Sequence, residues 1–298
     1  MHFNEIYSRL EEKLIELYEN HRTRAAKIDW SYHEFIPWEK ARCFKKEPWD
    51  ESQRTLPNAI YTAIETALLT EVNLPWFTTH LSTTFKGALK VLIDFVHTWT
   101  AEEDQHSSLL ETYLIVTRNA NPAALKNLRK QVVEQGFDCE FTEPTQVMAY
   151  TAIQELATMV YYNNVAKVAQ PYDRDLSTLL RRLAKDESLH YAFYRDVVKA
   201  HLELEPNYIY PVAHVLLNFG MPGRFMPDFD ERMKTIGQHA NYGPEQYFTQ
   251  VVDVLVEFWG IEDLRPTASE AEESRQNILK HHQRLKRIVE RNKGRKQT

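Results

Sequence analysis

Trp99-Thr100-Ala101-Glu102-Glu103-Asp104-Gln105-His106 places a glutamate and a histidine three residues apart, and Ala184-Lys185-Asp186-Glu187-Ser188-Leu189-His190 does so again. Glu-x-x-His is a common pattern, so its repetition alone carries little. The flanking spacing carries more. Glu71 precedes Glu103 by 32 residues, and Glu155 precedes Glu187 by the same 32. The midpoints are Gly87 and Pro171, both suited to turns. Sixteen helical residues rise about 24 Å. A helix up, a turn and a helix back therefore bring Glu71 level with Glu103, and Glu155 level with Glu187. Two such hairpins packed together form a four-helix bundle with four glutamates and two histidines at one level of its core.

The helix faces agree. Leu92, Phe95, Val96, Trp99, Glu103, His106, Leu110 and Tyr113 form one stripe at helical spacing. Leu176, Leu179, Leu180, Leu183, Glu187, His190, Tyr194 and Val197 form another. Glutamate and histidine thus fall where apolar residues are expected, and lone buried carboxylates are costly unless paired or metal-bound. Either motif alone reads as a Glu–His pair on a solvated face. Both together, with matched upstream glutamates, point to metal. Carboxylate and imidazole suit iron, manganese or zinc, and the four-to-two stoichiometry favours two ions. A Glu from each of two helices and Glu-x-x-His from the other two is the ligand set of ferritin-like di-iron bundles. Asp94-x-x-His97 has the same spacing without a matched partner and reads as a surface or outer pair.

The rest of the chain fits an all-α protein. Only 8 of 298 residues are glycine, which argues against glycine-rich phosphate loops and turn-dense β folds. A formal net charge of −6 does not suggest a nucleic-acid binder. Two cysteines, Cys43 and Cys139, support neither a disulfide framework nor a cysteine zinc site. Met1-His2-Phe3-Asn4-Glu5 lacks a signal-peptide pattern, and no apolar run approaches a transmembrane segment, so a cytoplasmic location is expected. One domain over residues 1–298 is expected: a core bundle at about 58–203, an N-terminal wrap over 1–57 and C-terminal helices over 206–298. Within these, a helix is predicted at 4–26 on Ile6, Leu10, Leu14 and Leu17, and two more at 244–259 and 268–292. Residues 28–57, with Pro37, Pro48 and Pro57 among aromatics, predict irregular wrapping.

These residues also resemble a known family, the soluble acyl-acyl-carrier-protein desaturases, which include the plant plastid stearoyl enzyme and bacterial relatives. Residues 99–106 resemble the family's WTAEExxH and residues 184–190 its A-x-DExxH. Thr70-Glu71-Val72-Asn73-Leu74-Pro75 is similar to TEExLP, and Gln154-Glu155-Leu156-Ala157-Thr158 to QExAT. Trp30-Ser31-Tyr32-His33-Glu34-Phe35-Ile36-Pro37 resembles a W-x4-F-[LI]-P segment. The resemblance covers about residues 28–205. It implies two irons per chain, cycling between Fe2+ and Fe3+. Glu103 and Glu187 would bridge them, Glu71 and His106 would complete one, and Glu155 and His190 the other. It places Thr158 beside the oxygen site, where its hydroxyl would aid proton delivery, and Trp30 and Asp186 on an electron path through His106. It implies O2-dependent cis desaturation of a fatty acyl chain on acyl carrier protein, electrons from ferredoxin or a similar donor, and a homodimer. Pro75, four residues after Glu71, cannot donate to the Glu71 carbonyl, so a kink beside the metal is expected.

The sequence also departs from the pattern. Plant relatives carry arginine before each motif histidine, where this chain has Gln105 and Leu189. The shortened run between Glu71 and Glu103 is polar (Thr78, Thr79, His80, Ser82, Thr83, Thr84) and reads as a solvent-facing helix end in preference to a tunnel floor. The basic residues from Arg275 to Lys296 read as a solvated, partly frayed tail or as a docking face for acidic acyl carrier protein, with membrane-surface binding a third option. The rival functions are a non-catalytic ferritin-like metal-binding protein and another di-iron oxygenase, a hydroxylase or N-oxygenase.

Overall fold

The computed structural model describes residues 3–296, with side chains described from residue 9 to residue 292. Twelve α-helices and short 3-10 turns make up the described residues, and no strand occurs among them. Helix α1 (Phe3–Ala25) precedes an irregular wrap. Then follow α2 (Asn58–Glu71), α3 (Leu74–Thr84), α4 (Lys90–Val116), α5 (Pro122–Gln135), α6 (Pro144–Ala169) and α7 (Arg174–Leu204). Helices α8 (Ile209–Asn218), α9 (Phe229–His239), α10 (Pro244–Tyr247), α11 (Asp253–Phe258) and α12 (Ser269–Lys296) complete the chain. A π-helical turn, Phe248–Val252, joins α10 to α11, so the helix expected at 244–259 forms with a bulge in its middle.

The bundle consists of α2 with α3, α4, α6 and α7, paired as the 32-residue spacing predicts. Gly87, at φ 85°, sits in the turn before α4, and Pro171 lies in the turn between α6 and α7. Asp173 ends that turn by accepting the Leu176 amide at 2.9 Å, an N-cap. Helix α6 is apolar nearly all round and runs through the centre, whereas α7 presents one apolar stripe. Leu176, Leu179, Leu180 and Leu183 of that stripe are fully buried, each worth about 2 kcal/mol in area removed from water. The buried apolar cluster is continuous from Leu10 to Val289.

The wrap is irregular as expected, and it is anchored. The Trp49 indole donates to the Arg118 carbonyl, and Asn119 Oδ1 accepts the amides of Thr55 and Leu56 at the C-terminal end of α4. Two expectations change. The kink at Pro75 is a full break: α2 stops at Glu71 and α3 begins at Leu74, because proline takes the first turn of a new helix more readily than the middle of an old one. Up to Arg291 the basic segment is helical and packed on one side. Ala271, Ile278 and Val289 are buried, so α12 is a packed amphipathic helix lying against α8. Ile6 and the basic residues Lys293, Arg295 and Lys296 lie outside the described side chains.

Candidate metal centre

The six residues singled out by spacing meet in the middle of the bundle. Glu71 comes from the last turn of α2, Glu103 and His106 from α4, Glu155 from α6, and Glu187 and His190 from α7. Glu103 points one carboxylate oxygen at each imidazole: Oε2 lies 2.9 Å from His106 Nδ1 and Oε1 lies 2.7 Å from His190 Nδ1. Glu187 does the same, at 3.3 Å and 3.9 Å. Glu71 lies 3.9 Å from His106 Nδ1, and Glu155 lies 3.8 Å from His190 Nδ1. Ligand atoms of Glu71, Glu103 and His106 fall within 4.8 Å of one another, and so do those of Glu103, Glu155, Glu187 and His190.

The donor set fits metal. His106 Nδ1, His190 Nδ1 and Glu103 Oε1 are buried without a properly oriented hydrogen-bond partner, although carboxylates surround them. Lone pairs that converge without pairing cost free energy unless a cation fills the space between them.

Outer contacts hold four of these six residues. Asp186 Oδ2 lies 3.0 Å from His106 Nε2, and Trp30 Nε1 donates to the same oxygen at 3.2 Å. Arg182 donates to Asp186 Oδ1 and lies over the Trp30 ring. Trp30, Asp186 and His106 thus form one contiguous line from the half-buried wrap to the centre. On the other half, Glu102 Oε2 lies 2.9 Å from His190 Nε2. The residue before each motif glutamate therefore supports the histidine of the opposite motif. The Trp99 indole donates to Glu155 Oε1 at 3.0 Å, and the Tyr162 phenol donates to Glu71 Oε1. Reading the sequence missed Glu102, Trp99 and Tyr162 in these roles. The signal for Glu102 was an acidic residue preceding both motif glutamates.

The electrostatics follow from crowding. Burial, together with the charges of Glu187 and Glu103, pushes the Glu71 carboxyl up to about 8. Burial and the same two neighbours raise Glu155 well above the carboxylate range. Burial also works against Glu103, yet His106 and His190 on either side hold it well below that range. Burial opposes charge on both histidines, but Glu103 and their outer carboxylates raise them well above the usual imidazole value. Burial opposes charge on Glu102 too, but the hydrogen bonds from His190 and His21 bring it down to about 2.

Thr158, on α6, borders a small apolar cavity of about 50 Å³ that also touches Glu71 and Tyr162 and is lined further by Met221, Phe229 and Met233. A second, more polar cavity of about 30 Å³ joins Thr158 to Glu103, Glu187, Gln154 and Asn73. Thr158 thus stands between an apolar chamber and the carboxylates. The polar run at 78–84 lines neither cavity; Thr79, Ser82 and Thr83 are exposed, which is the solvent-facing reading. His97 is exposed and Asp94 pairs with Lys90, so that motif is a surface one. Gln105 accepts the Tyr32 amide at 3.0 Å, and Leu189 is buried in a pocket lined also by Leu17 and His21 of α1.

Comparison with known proteins agrees with this geometry. The sequence model of the family described as "Fatty acid desaturase" matches residues 3–298. A Mycobacterium tuberculosis protein bearing the name acyl-[acyl-carrier-protein] desaturase DesA1 is 32% identical over 262 residues, covering 84% of this chain and 76% of that protein. The Arabidopsis thaliana stearoyl-[acyl-carrier-protein] 9-desaturase 5, chloroplastic, is 25% identical over 284 residues, 89% of this chain and 72% of the other. The crystal structure of the acyl-ACP desaturase DesA2 chain from M. tuberculosis superimposes with a TM-score of 0.68 at 23% identity, covering 89% of this chain and 99% of that one, a likeness of fold. With the family matched along nearly the whole sequence, the chain belongs to the fatty acid desaturases.

Proposed function

We propose that this protein is an O2-dependent acyl-acyl-carrier-protein desaturase whose six converging ligands hold two irons. The observation that carries the reading is the pair of Glu-x-x-His motifs, each closed by an opposed glutamate, beside an apolar cavity. The reaction removes two hydrogens from adjacent methylenes: –CH2–CH2– + O2 + 2e⁻ + 2H⁺ gives cis –CH=CH– + 2 H2O. Bound iron would supply the oxidising power that side chains lack. The chain's own residues do the rest. Glu103 and Glu187, each facing both histidines, would serve both halves of the site, which Glu71 with His106 and Glu155 with His190 would complete. The apolar walls of the cavity, from α2, α6 and α9, would flank the acyl chain where it passes the centre. The Thr158 hydroxyl, facing that cavity, hands protons toward the centre. Trp30 and Asp186 form the route by which ferredoxin or a similar donor delivers electrons to His106.

The same reading makes the chain one domain, a homodimer partner and a cytoplasmic protein. Two free cysteines are compatible with a reducing compartment. The deciding experiment is mass spectrometry of acyl-carrier-protein adducts after incubation with iron-loaded protein, ferredoxin, reductant and O2. A loss of two mass units from the acyl chain is expected. Iron oxidation with an unaltered chain would favour the metal-storage rival, and a gain of sixteen mass units the hydroxylase rival.

A further inference from the structure

Helix α1 stands outside the four-helix bundle and packs across α4 and α7. Among its described residues one polar side chain is buried, His21, at 4% exposure. Its Nε2 lies 2.9 Å and 3.2 Å from the two oxygens of Glu102, a residue 81 positions away. The nearer oxygen, Glu102 Oε2, also receives His190 Nε2 at 2.9 Å. One carboxylate oxygen is thus gripped between two imidazoles. The His21 ring is fixed by edge contacts with Phe95 at 4.9 Å and Phe193 at 6.2 Å, and lies nearly parallel to His190.

The other half of the centre has the same plan with different parts: Trp30 grips Asp186, and Asp186 grips His106. The two halves are not equally secured. Asp186 is buried and has a third partner in Arg182. The Glu102 side chain is 23% exposed, and the hydrogen bonds described for it are those to His21 and His190. A glutamate has more rotamer freedom to lose than an aspartate, and solvent competes for it. Without His21, Glu102 has an open route to water and only His190 itself to hold it.

Resting on the metal reading above, we propose that His21 is a positioning residue for the His190 half of the centre. Its Nε2–H clamps Glu102, and Glu102 accepts the Nε2–H of His190. That leaves the His190 Nδ1 lone pair facing the metal position. The docking of α1 therefore sets the affinity of one half-site and leaves the Glu71–His106 half alone.

Titration of metal-free, full-length protein with Co2+, followed by the absorption of bound cobalt, tests this. Wild type is expected to bind two ions. In His21→Ala one binding step weakens about 10- to 100-fold and the other holds. His21→Phe keeps a ring between Phe95 and Phe193 but donates no hydrogen bond, so it folds as wild type and shows the same selective loss. His21→Gln, whose amide reaches the position of Nε2, restores the weakened step. Adding His21→Ala to Glu102→Gln costs nothing further. Equal weakening of both steps, wild-type binding by His21→Phe, or additive losses in the double variant would overturn the proposal. Wild type that binds no Co2+ at all would instead remove the metal reading on which it rests.

Discussion

Glu71 couples the centre to proton concentration. Its folded-state carboxyl, pushed up to about 8 by burial and by Glu187 and Glu103, carries a proton at neutral pH when no metal is bound. A metal ion must displace that proton. Affinity should therefore rise with pH up to about 8, by about tenfold per unit for each proton expelled, and flatten above for this group. Fe2+ or Co2+ titrations at pH 6, 7 and 8 check this, and an affinity independent of pH across that range would contradict it. Thr158 makes a second test. Thr158→Val removes the hydroxyl at nearly constant volume, so metal content should stay while turnover falls on the order of 100-fold, the usual size of a proton-transfer contribution. An unchanged yield of double bonds per O2 consumed would take Thr158 out of the reaction. At this scale the convergence of the six residues was legible because helical spacing places them at one level. Glu102, Trp99, Tyr162 and His21 were not. Each acts through a hydrogen bond to another helix, and no periodicity within one segment records which residue of a distant segment will face it.

Among elements, α2 shows how a local rule and tertiary context divide the work. Pro75 marks a disturbance, but whether the helix bends or ends depends on what receives its last carbonyls; here Val72 and Asn73 turn the chain and α3 starts afresh. Helix α12 shows the opposite limit. Its basic residues suggested a loose tail, while its buried side, Ala271, Ile278 and Val289, is too sparse to read as a stripe without seeing α8 beneath it. Helix α9, which carries part of the cavity wall, is pinned to α2 by Arg232 donating to Glu65 Oε2 at 2.8 Å, with the Tyr61 phenol on the other oxygen. Both charged side chains are largely buried, at 13% and 11% exposure. Arg232→Met should therefore leave an uncompensated carboxylate and cost about 3 kcal/mol in denaturant unfolding, and Arg232→Met with Glu65→Gln should recover part of it. A loss below 1 kcal/mol in the single variant would place this pair with ordinary surface ion pairs.

Over the whole molecule, charge is unevenly spread. The net charge is −6, yet Lys280, Arg284, Lys286, Arg287 and Arg291 form an exposed basic face on α12, and no described ion pair engages them. An acidic carrier protein would be steered there by long-range attraction, screened over about 8 Å at physiological ionic strength. Because Val289 is buried, charge reversal is a cleaner probe than truncation: Lys286→Glu with Arg287→Glu should slow association with acyl carrier protein and flatten its salt dependence, leaving metal content alone. Stopped-flow rates at two salt concentrations measure this, and equal rates and slopes would make the face a plain solvated surface. The reach of the N-terminal segment has a consequence of another kind, for the order of events at the ribosome. His21 and Trp30 are made well before their partners Glu102 and Asp186, which lie 81 and 156 residues further on. Helix α1 therefore finds only part of its packing, on α4, until α7 has been synthesised. A nascent chain halted before α7 carries four of the six converging residues and lacks Asp186, the partner of His106.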